Sequence, residues 1–448
     1  MMSRFSKALI IGSMLWAGNF AMLYSQNTNG KTTSFENVNV IPMNKEIILY
    51  NQRVITVNGK ISIIEPASKK ISQKIDVIIQ AKDKYLIPGL AEMHYHLEND
   101  VKDEFKLLIA NGVTTARNMA EYEGQDHIAI REKVKNNELF GPYYVTTGPY
   151  LKANDLKTVT DVIDVVKTHH QRGYDFLKIA DNLPKEIYTK LLEETGKYNI
   201  PVVGHGQRKL PLEYSLRMKS IAHVEEFMNI FNTQQKADTS YLKQAAMIIK
   251  QSGLYVSPTL GVYEMISRYA DDKKFAVLKK SDVIKYRPKA YVAYCLSDST
   301  HYRSNTWFTA PASLIRLSKE LQWQKDFTKI LNDAEVPLFA GSDTYGLFLP
   351  GFSLHRELEL ICNAGLSPYE TLKTATVNPA KYLNRTSVSG TITEGKLADL
   401  VLLNKNPLID IRNTKTIEGV MVKGKWLGKN ELSAMLKEVE NNCKKEGE

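Results

Sequence analysis

Two histidines stand two residues apart in Pro88-Gly89-Leu90-Ala91-Glu92-Met93-His94-Tyr95-His96, just after the apolar run Lys84-Tyr85-Leu86-Ile87. On an extended chain alternate side chains share one face, so His94 and His96 point the same way. Two imidazoles aimed at one point make half of a divalent-metal site. The chain has nine histidines, and two more, His205 and His223, also close short apolar runs, as does Asp343. Lys178 lies in a similar run, Phe176-Leu177-Lys178-Ile179. Three or four imidazoles with a carboxylate suit Zn²⁺ or another borderline divalent ion. The remaining histidines, His127, His169, His170, His301 and His355, fall in helical or insertion segments and are expected at the surface or in packing.

Placing these residues around one point requires a particular scaffold. Apolar strand candidates alternate with helix-length amphipathic segments after His96: residues 113–117, 144–147, 176–179, 201–205, 220–223, 255–258 and 337–343. With the run before His94 they make about eight βα repeats, which predicts an α/β fold, a (β/α)8 barrel over residues 84–387. Catalytic groups of such a barrel sit at the C-terminal ends of its strands, where the histidines, Lys178 and Asp343 fall. Residues 261–329 hold no strand candidate and read as an insertion in a βα loop, on the active-site face. Beyond Asp343, residues 353–364 show helical periodicity. Ser367-Pro368-Tyr369-Glu370 then opens another helix with a capping Ser, Pro in the first turn and Glu three residues on.

Short strands of another kind flank the barrel. Residues 38–41, 47–50, 53–57 and 61–64 are strand-like, and Asn58-Gly59 between the last two is a hairpin signal. Strands return at residues 400–403 and 419–422. The two terminal units, 35–83 and 388–430, are expected to form one composite β-sandwich domain.

The net charge of +10 over 448 residues is spread along the chain, with no basic cluster interleaved with aromatics, so nucleic-acid binding is not indicated. Cys295, Cys362 and Cys443 are too widely spaced for a disulfide framework or a metal knuckle. Arg4 and Lys7 precede an interrupted apolar run to Leu23, which predicts a signal peptide over residues 1–26 and a secreted or periplasmic protein with no stable membrane span after cleavage.

These motifs together resemble the amidohydrolase superfamily of metal-dependent hydrolases, nearest its imidazolonepropionase- and prolidase-like members. The resemblance rests on Pro88-Gly89-Leu90 leading into His94-Tyr95-His96, on Gly112-Val113-Thr114-Thr115, His205, His223 and Gly341-Ser342-Asp343. The trailers Thr376-Val377-Asn378-Pro379-Ala380 and Gly395-Lys396-Leu397-Ala398-Asp399-Leu400 complete it. It implies a site of one or two divalent ions, zinc first among them, held by His94, His96, Lys178, His205, His223 and Asp343. It also implies Lys178 carboxylated as a bridging ligand, and Asp343 as general base toward a metal-activated water. Arg117-Asn118 departs from the Arg-Asp pair common in the superfamily. The expected reaction is cleavage of an amide, peptide or cyclic-amide C–N bond in a small-molecule or dipeptide-like substrate. The alternatives are a mononuclear deaminase on a nucleobase-like substrate and a non-catalytic binding protein on the same barrel.

Overall fold

The structure is a computed structural model that describes residues 31–71 and 73–445. The expected signal segment, residues 1–26, lies outside the described residues. Among the described residues no helix is long and apolar enough to cross a membrane.

The described residues open with β1 (Thr32–Val40), β2 (Leu49–Val57), β3 (Lys60–Pro66), β4 (Val77–Gln80) and β5 (Tyr85–Pro88). The parallel strands follow: β6 (Leu90–Tyr95), β7 (Val113–Asn118), β8 (Tyr143–Thr146), β9 (Leu177–Ile179), β10 (Val202–Gly204), β11 (Ser220–Ala222) and β12 (Tyr255–Ser257). Then come β13 (Leu400–Leu403), β14 (Ile417–Val422) and β15 (Lys425–Gly428), followed by a helix over Lys429–Lys445.

Both chain ends build one eight-stranded sheet, in the order β15-β14-β13-β5-β1-β2-β3 with β4 against β1. Its apolar face buries Phe35, Val54, Leu86, Leu400 and Met421. The Asn58-Gly59 pair turns β2 into β3, as the sequence predicts, and residues 47–57, read as two strands, merge into β2. The run before His94 is placed differently from expectation. Residues 85–88 pair with β13 and β1 in this sheet, and His94 belongs instead to β6. Only Gly89 separates the two strands, so periodicity reads them as one.

The α/β part has two parallel sheets, β6-β7-β8 and β12-β11-β10-β9. Single bridges join them. Leu151 pairs with Ile179 beside β9, and Leu338 with Val256 beside β12. The Leu338 segment also reaches β6, where Met93 N donates to Ala340 O at 3.0 Å and Asp343 N to His94 O at 2.7 Å. Residues 337–343 are therefore hydrogen-bonded on both sides yet make no regular strand. Gly341 packs so tightly that a Cβ there would lie 2.6 Å from the His94 Cβ, and Asp343 turns into left-handed backbone at φ 53°.

Helices pack around these strands over one large core that includes Leu108, Val166, Leu191, Ile249, Phe327 and Leu358. The expected helix ends hold: Phe352–Asn363 is helical, and Ser367 and Glu370 form a capping box at the start of Pro368–Thr374. The insertion is a run of helices from Leu260–Ala270 to Pro311–Asp333, with its own apolar cluster of Met265, Tyr269, Phe275 and Cys295 against Leu347 and Phe348. Among the described residues the three cysteines form no disulfide.

Candidate metal centre

β6 carries His94 at its end, with His96 one residue beyond. The pleat aims both inward, and their Nε2 atoms lie 3.2 Å apart. Asp343, swung in by its left-handed backbone, sets Oδ1 3.2 Å from His94 Nε2 and 3.0 Å from His96 Nε2. Lys178, in the middle of β9, places Nζ 3.4 Å from His94 Nε2 and is 3 % exposed. His223 follows β11 with φ 72° and puts Nε2 3.8 Å from Asp343 Oδ2. His205 follows β10, and its ring centroid is 5.0 Å from that of His223. The backbone before it needs Gly204, since a Cβ there would meet Ile179 O at 2.1 Å. The structure thus brings His94, His96, Lys178, His223 and Asp343 together, with His205 beside His223.

Neighbours fix which nitrogen each imidazole offers. The Thr259 hydroxyl donates to Pro258 O at 2.8 Å, so toward His223 Nδ1, 2.7 Å away, it accepts. That places the proton on Nδ1 and leaves the Nε2 lone pair facing Asp343. His205 Nδ1 likewise meets the buried Glu226 carboxylate at 2.8 Å, which frees its Nε2. Arg208 grips the same carboxylate at 2.7 and 2.5 Å.

Glu92, two residues before His94 and fully buried, accepts from Ser342 Oγ at 2.6 Å, Ser342 N at 2.9 Å and His94 N at 3.0 Å. It ties the loop that carries Asp343 to the strand that carries His94. Sequence reasoning missed Glu92, Glu226 and Thr259. Only Glu92 had a signal, since Glu92, His94 and His96 alternate along one strand.

Burial sets the protonation states. It pushes His94 well below its ordinary pKa and His96 below its own, and it lowers His223 to about 3, with Asp343 opposing in each case. His94, His96 and His223 are therefore neutral and able to ligate. Burial alone would raise the Asp343 carboxyl, but His94, His96 and His223 override it and hold it well below the usual range. Burial brings the Lys178 amine down to about 8, against the pull of Asp343 and with help from Arg117. For Glu226, Arg208 and His205 outweigh burial and hold the carboxyl at about 2.

This donor set fits a metal. Imidazole nitrogens converge within about 3 Å of one another and of a carboxylate, the nitrogen and oxygen donor types that a borderline divalent ion takes. Ligand atoms of His94, His223 and Asp343 all lie within 4.8 Å of one another.

The amidohydrolase family model matches residues 85–427. The chain belongs to the amidohydrolase family. It is an enzyme that hydrolyses carbon–nitrogen bonds, of a family that is generally metal-dependent. Solved structures share its fold at low identity. A Xaa-Pro dipeptidase with bound methionine is 16 % identical at TM-score 0.65, covering 89 % of this chain and 100 % of that one. The bottromycin amidohydrolase is 19 % identical at TM-score 0.72, covering 92 % and 90 %. An ochratoxinase of A. niger is 17 % identical at TM-score 0.65, covering 89 % and 96 %. A sequence search of curated proteins returns no match. Family and neighbours imply a TIM-barrel-type fold for this amidohydrolase.

The other five histidines behave as expected. His127 is buried between Tyr144 and Gln125, His355 between Thr414 and the backbone of Asn111, and His169 under its own helix. His170 and His301 are exposed. Arg117, next to the departure at Asn118, is fully buried and donates to Met93 O, Tyr382 and Ser220, with its guanidinium over the Phe339 ring at 4.8 Å.

Proposed function

We propose that this amidohydrolase cleaves an amide-type C–N bond of a small-molecule or dipeptide-like substrate, with His94, His96, Lys178, His205, His223 and Asp343 holding one or two divalent ions, zinc first among them. The observation that carries this reading is the buried meeting of His94 Nε2, His96 Nε2 and Lys178 Nζ around Asp343. A bound divalent ion supplies Lewis acidity, which polarises a carbonyl and brings water toward ionisation at neutral pH.

The protein residues then have separate tasks. Asp343 is ionised, and it takes a proton from the attacking water and hands it to the departing nitrogen. Glu92 keeps Asp343 and His94 in register. Thr259 and Glu226 hold His223 and His205 in the ligating tautomer. Lys178, buried with a depressed pKa, presents the neutral amine that CO₂ captures. The nitrogen bonds to carbon, one proton leaves, and the carbamate is a bidentate anionic ligand.

We read β6 to β12 with residues 337–340 as the eight staves of a (β/α)8 barrel, and the eight-stranded sheet as a composite domain from residues 35–83 and 388–430. The hydrogen bonds through Leu151 and Leu338 support closure. The insertion, residues 261–329, roofs the site. Its buried Arg287 donates to Glu104 at 2.8 Å, to Glu98 at 3.1 Å and to Gly346 O at 3.1 Å, all near the loops after His96 and Asp343. Secretion or a periplasmic location follows from the N-terminal segment and is part of the proposal.

Metal analysis of the purified enzyme, joined to a hydrolysis screen of dipeptides, lactams and nucleobases, tests the reading. About two ions per chain with amide or peptide turnover supports it. One ion with nucleobase deamination replaces it with the deaminase. Full turnover without metal overturns it.

A further inference from the structure

A second cleft opens away from the metal centre. It has a volume of about 340 Å³ and lies where the starts of β7 and β8 and the turn before β9 meet the eight-stranded sheet. Its size is that of a small-ligand site. Thr114, Tyr143 and Gly173 line it from the α/β side, and Leu397, Asp399 and Lys423 from the sheet.

Arg385 stands out on its wall. The guanidinium carbon lies 3.6 Å from the centroid of the Tyr143 ring, and Nε is buried without a hydrogen-bond partner. A buried charged donor left unpaired is costly, and such groups are rare in folded proteins. The other cations on this wall are engaged. Arg131 binds Asp175 at 2.9 Å, Lys135 binds Glu132 at 3.3 Å, and Lys423 Nζ donates to Val134 O. Arg385 alone of these four has a buried nitrogen with no hydrogen-bond partner, and its charge is shared with the neighbouring Asp399. Its natural complement is a planar anion, since a guanidinium matches a carboxylate by two parallel hydrogen bonds.

Asp399 is the second feature. Its carboxylate lines the same cleft and accepts from the Lys423 amide at 3.1 Å. A fixed anion beside a fixed cation would repel a simple dianion and attract a molecule that bears both charges. Val134, Leu397 and Val422 supply the apolar remainder of the wall.

We propose that this cleft is a binding site for a free α-amino acid, with its carboxylate on Arg385, its ammonium on Asp399 and its side chain against Val134, Leu397 and Val422. The site stands apart from the chemistry and is independent of the metal reading.

Isothermal titration of the full enzyme with leucine, 4-methylpentanoate and inorganic phosphate tests it. The first two probes differ only by the amine, and neither has a bond for the enzyme to hydrolyse. Leucine is expected to bind saturably and more tightly than 4-methylpentanoate, with phosphate weakest. Arg385→Gln is expected to weaken leucine roughly 10-fold to 100-fold, the worth of a charged hydrogen bond, and Arg385→Lys to weaken it less. Arg385 is half-exposed, and unchanged hydrolysis by both variants certifies their fold. In His94→Ala/His96→Ala protein leucine binding is expected to persist. Binding lost in that double variant but intact in Arg385→Gln would assign leucine to the metal centre and overturn the proposal. Absence of saturable leucine binding overturns it as well, and equal affinity for leucine and 4-methylpentanoate removes Asp399 from it.

Discussion

In the eight-stranded sheet, Arg53 donates to Glu36 at 2.8 Å, to Glu65 at 3.2 Å and to the backbone oxygens of Lys69 and Ala67. Ser34 donates to the same Glu36 at 2.6 Å. Each nitrogen of that guanidinium meets an acceptor. At the ends of the parallel strands the rule inverts. His94 Nε2 faces His96 Nε2 and Lys178 Nζ, and one carboxylate serves three imidazoles. The backbones differ in the same way. Near the sheet, left-handed φ values fall on turn residues such as Asn58 and Asp83, which tolerate them. At the site they fall on His223, Thr259 and Asp343, whose side chains are needed whatever the backbone cost. One buried cluster is complete in itself, and the other is complete only with something added.

The sharpest break of this contrast is at β6. His94→Ala/His96→Ala is expected to abolish bound metal and turnover while thermal stability holds or rises, because the cluster stores strain rather than stability. Metal analysis and calorimetry of the same sample check it. Full metal content and turnover in that protein would remove the β6 ligand assignment.

Asp343→Asn comes next. It keeps the loop's shape but takes away the proton acceptor, and kcat should fall by about 10² to 10⁴-fold with substrate binding retained. Steady-state kinetics that find kcat unchanged end the base role.

Lys178→Ala tests the bridging anion. Turnover should drop and return in part when short-chain carboxylic acids are added, since they restore an anion where the carbamate stood. Intact-mass measurement of active enzyme should show the added CO₂. An unmodified lysine in metal-replete, active protein would shift the site to a single ion.

These tests also bear on what the chain makes legible. The His94-x-His96 pair, Lys178, His205, His223 and Asp343 can be read because each ends or sits within a short apolar run, and strand periodicity aims it. The first strand is misplaced because Lys84–Ile87 and β6 are both apolar and only Gly89 divides them. Their separation into two sheets depends on Leu86 and Ile87 pairing with β13, more than 300 residues away. Residues 337–343 read as a strand because their composition is right, yet packing at Gly341 and the turn at Asp343 break its regularity. Glu226, Thr259 and Arg287 were silent, since a hydrogen bond to a ligating imidazole leaves no spacing pattern in the chain.

The smallest effect belongs to the sheet. Arg53→Ala leaves the Glu36 carboxylate, 7 % exposed, without its cation. Breaking such a buried pair costs roughly 3 kcal/mol, while metal content and kcat should not change. Glu36→Gln gives the pH arm. Burial works to raise the Glu36 pKa, but Arg53 and Ser34 outweigh it and hold the pKa below its ordinary value of 4.5. A depressed folded-state pKa adds stability that is fully present above the unfolded value and is lost as pH falls through the folded one. The wild-type chain should therefore lose its advantage over Glu36→Gln as acid is added below about pH 4.5. Denaturant unfolding of both proteins at a series of pH values measures this. A gap between them that stays constant down the series would mean that the pair stabilises the sheet by shape alone, and the contrast between a self-sufficient cluster and a ligand-dependent one would then rest on the metal centre alone.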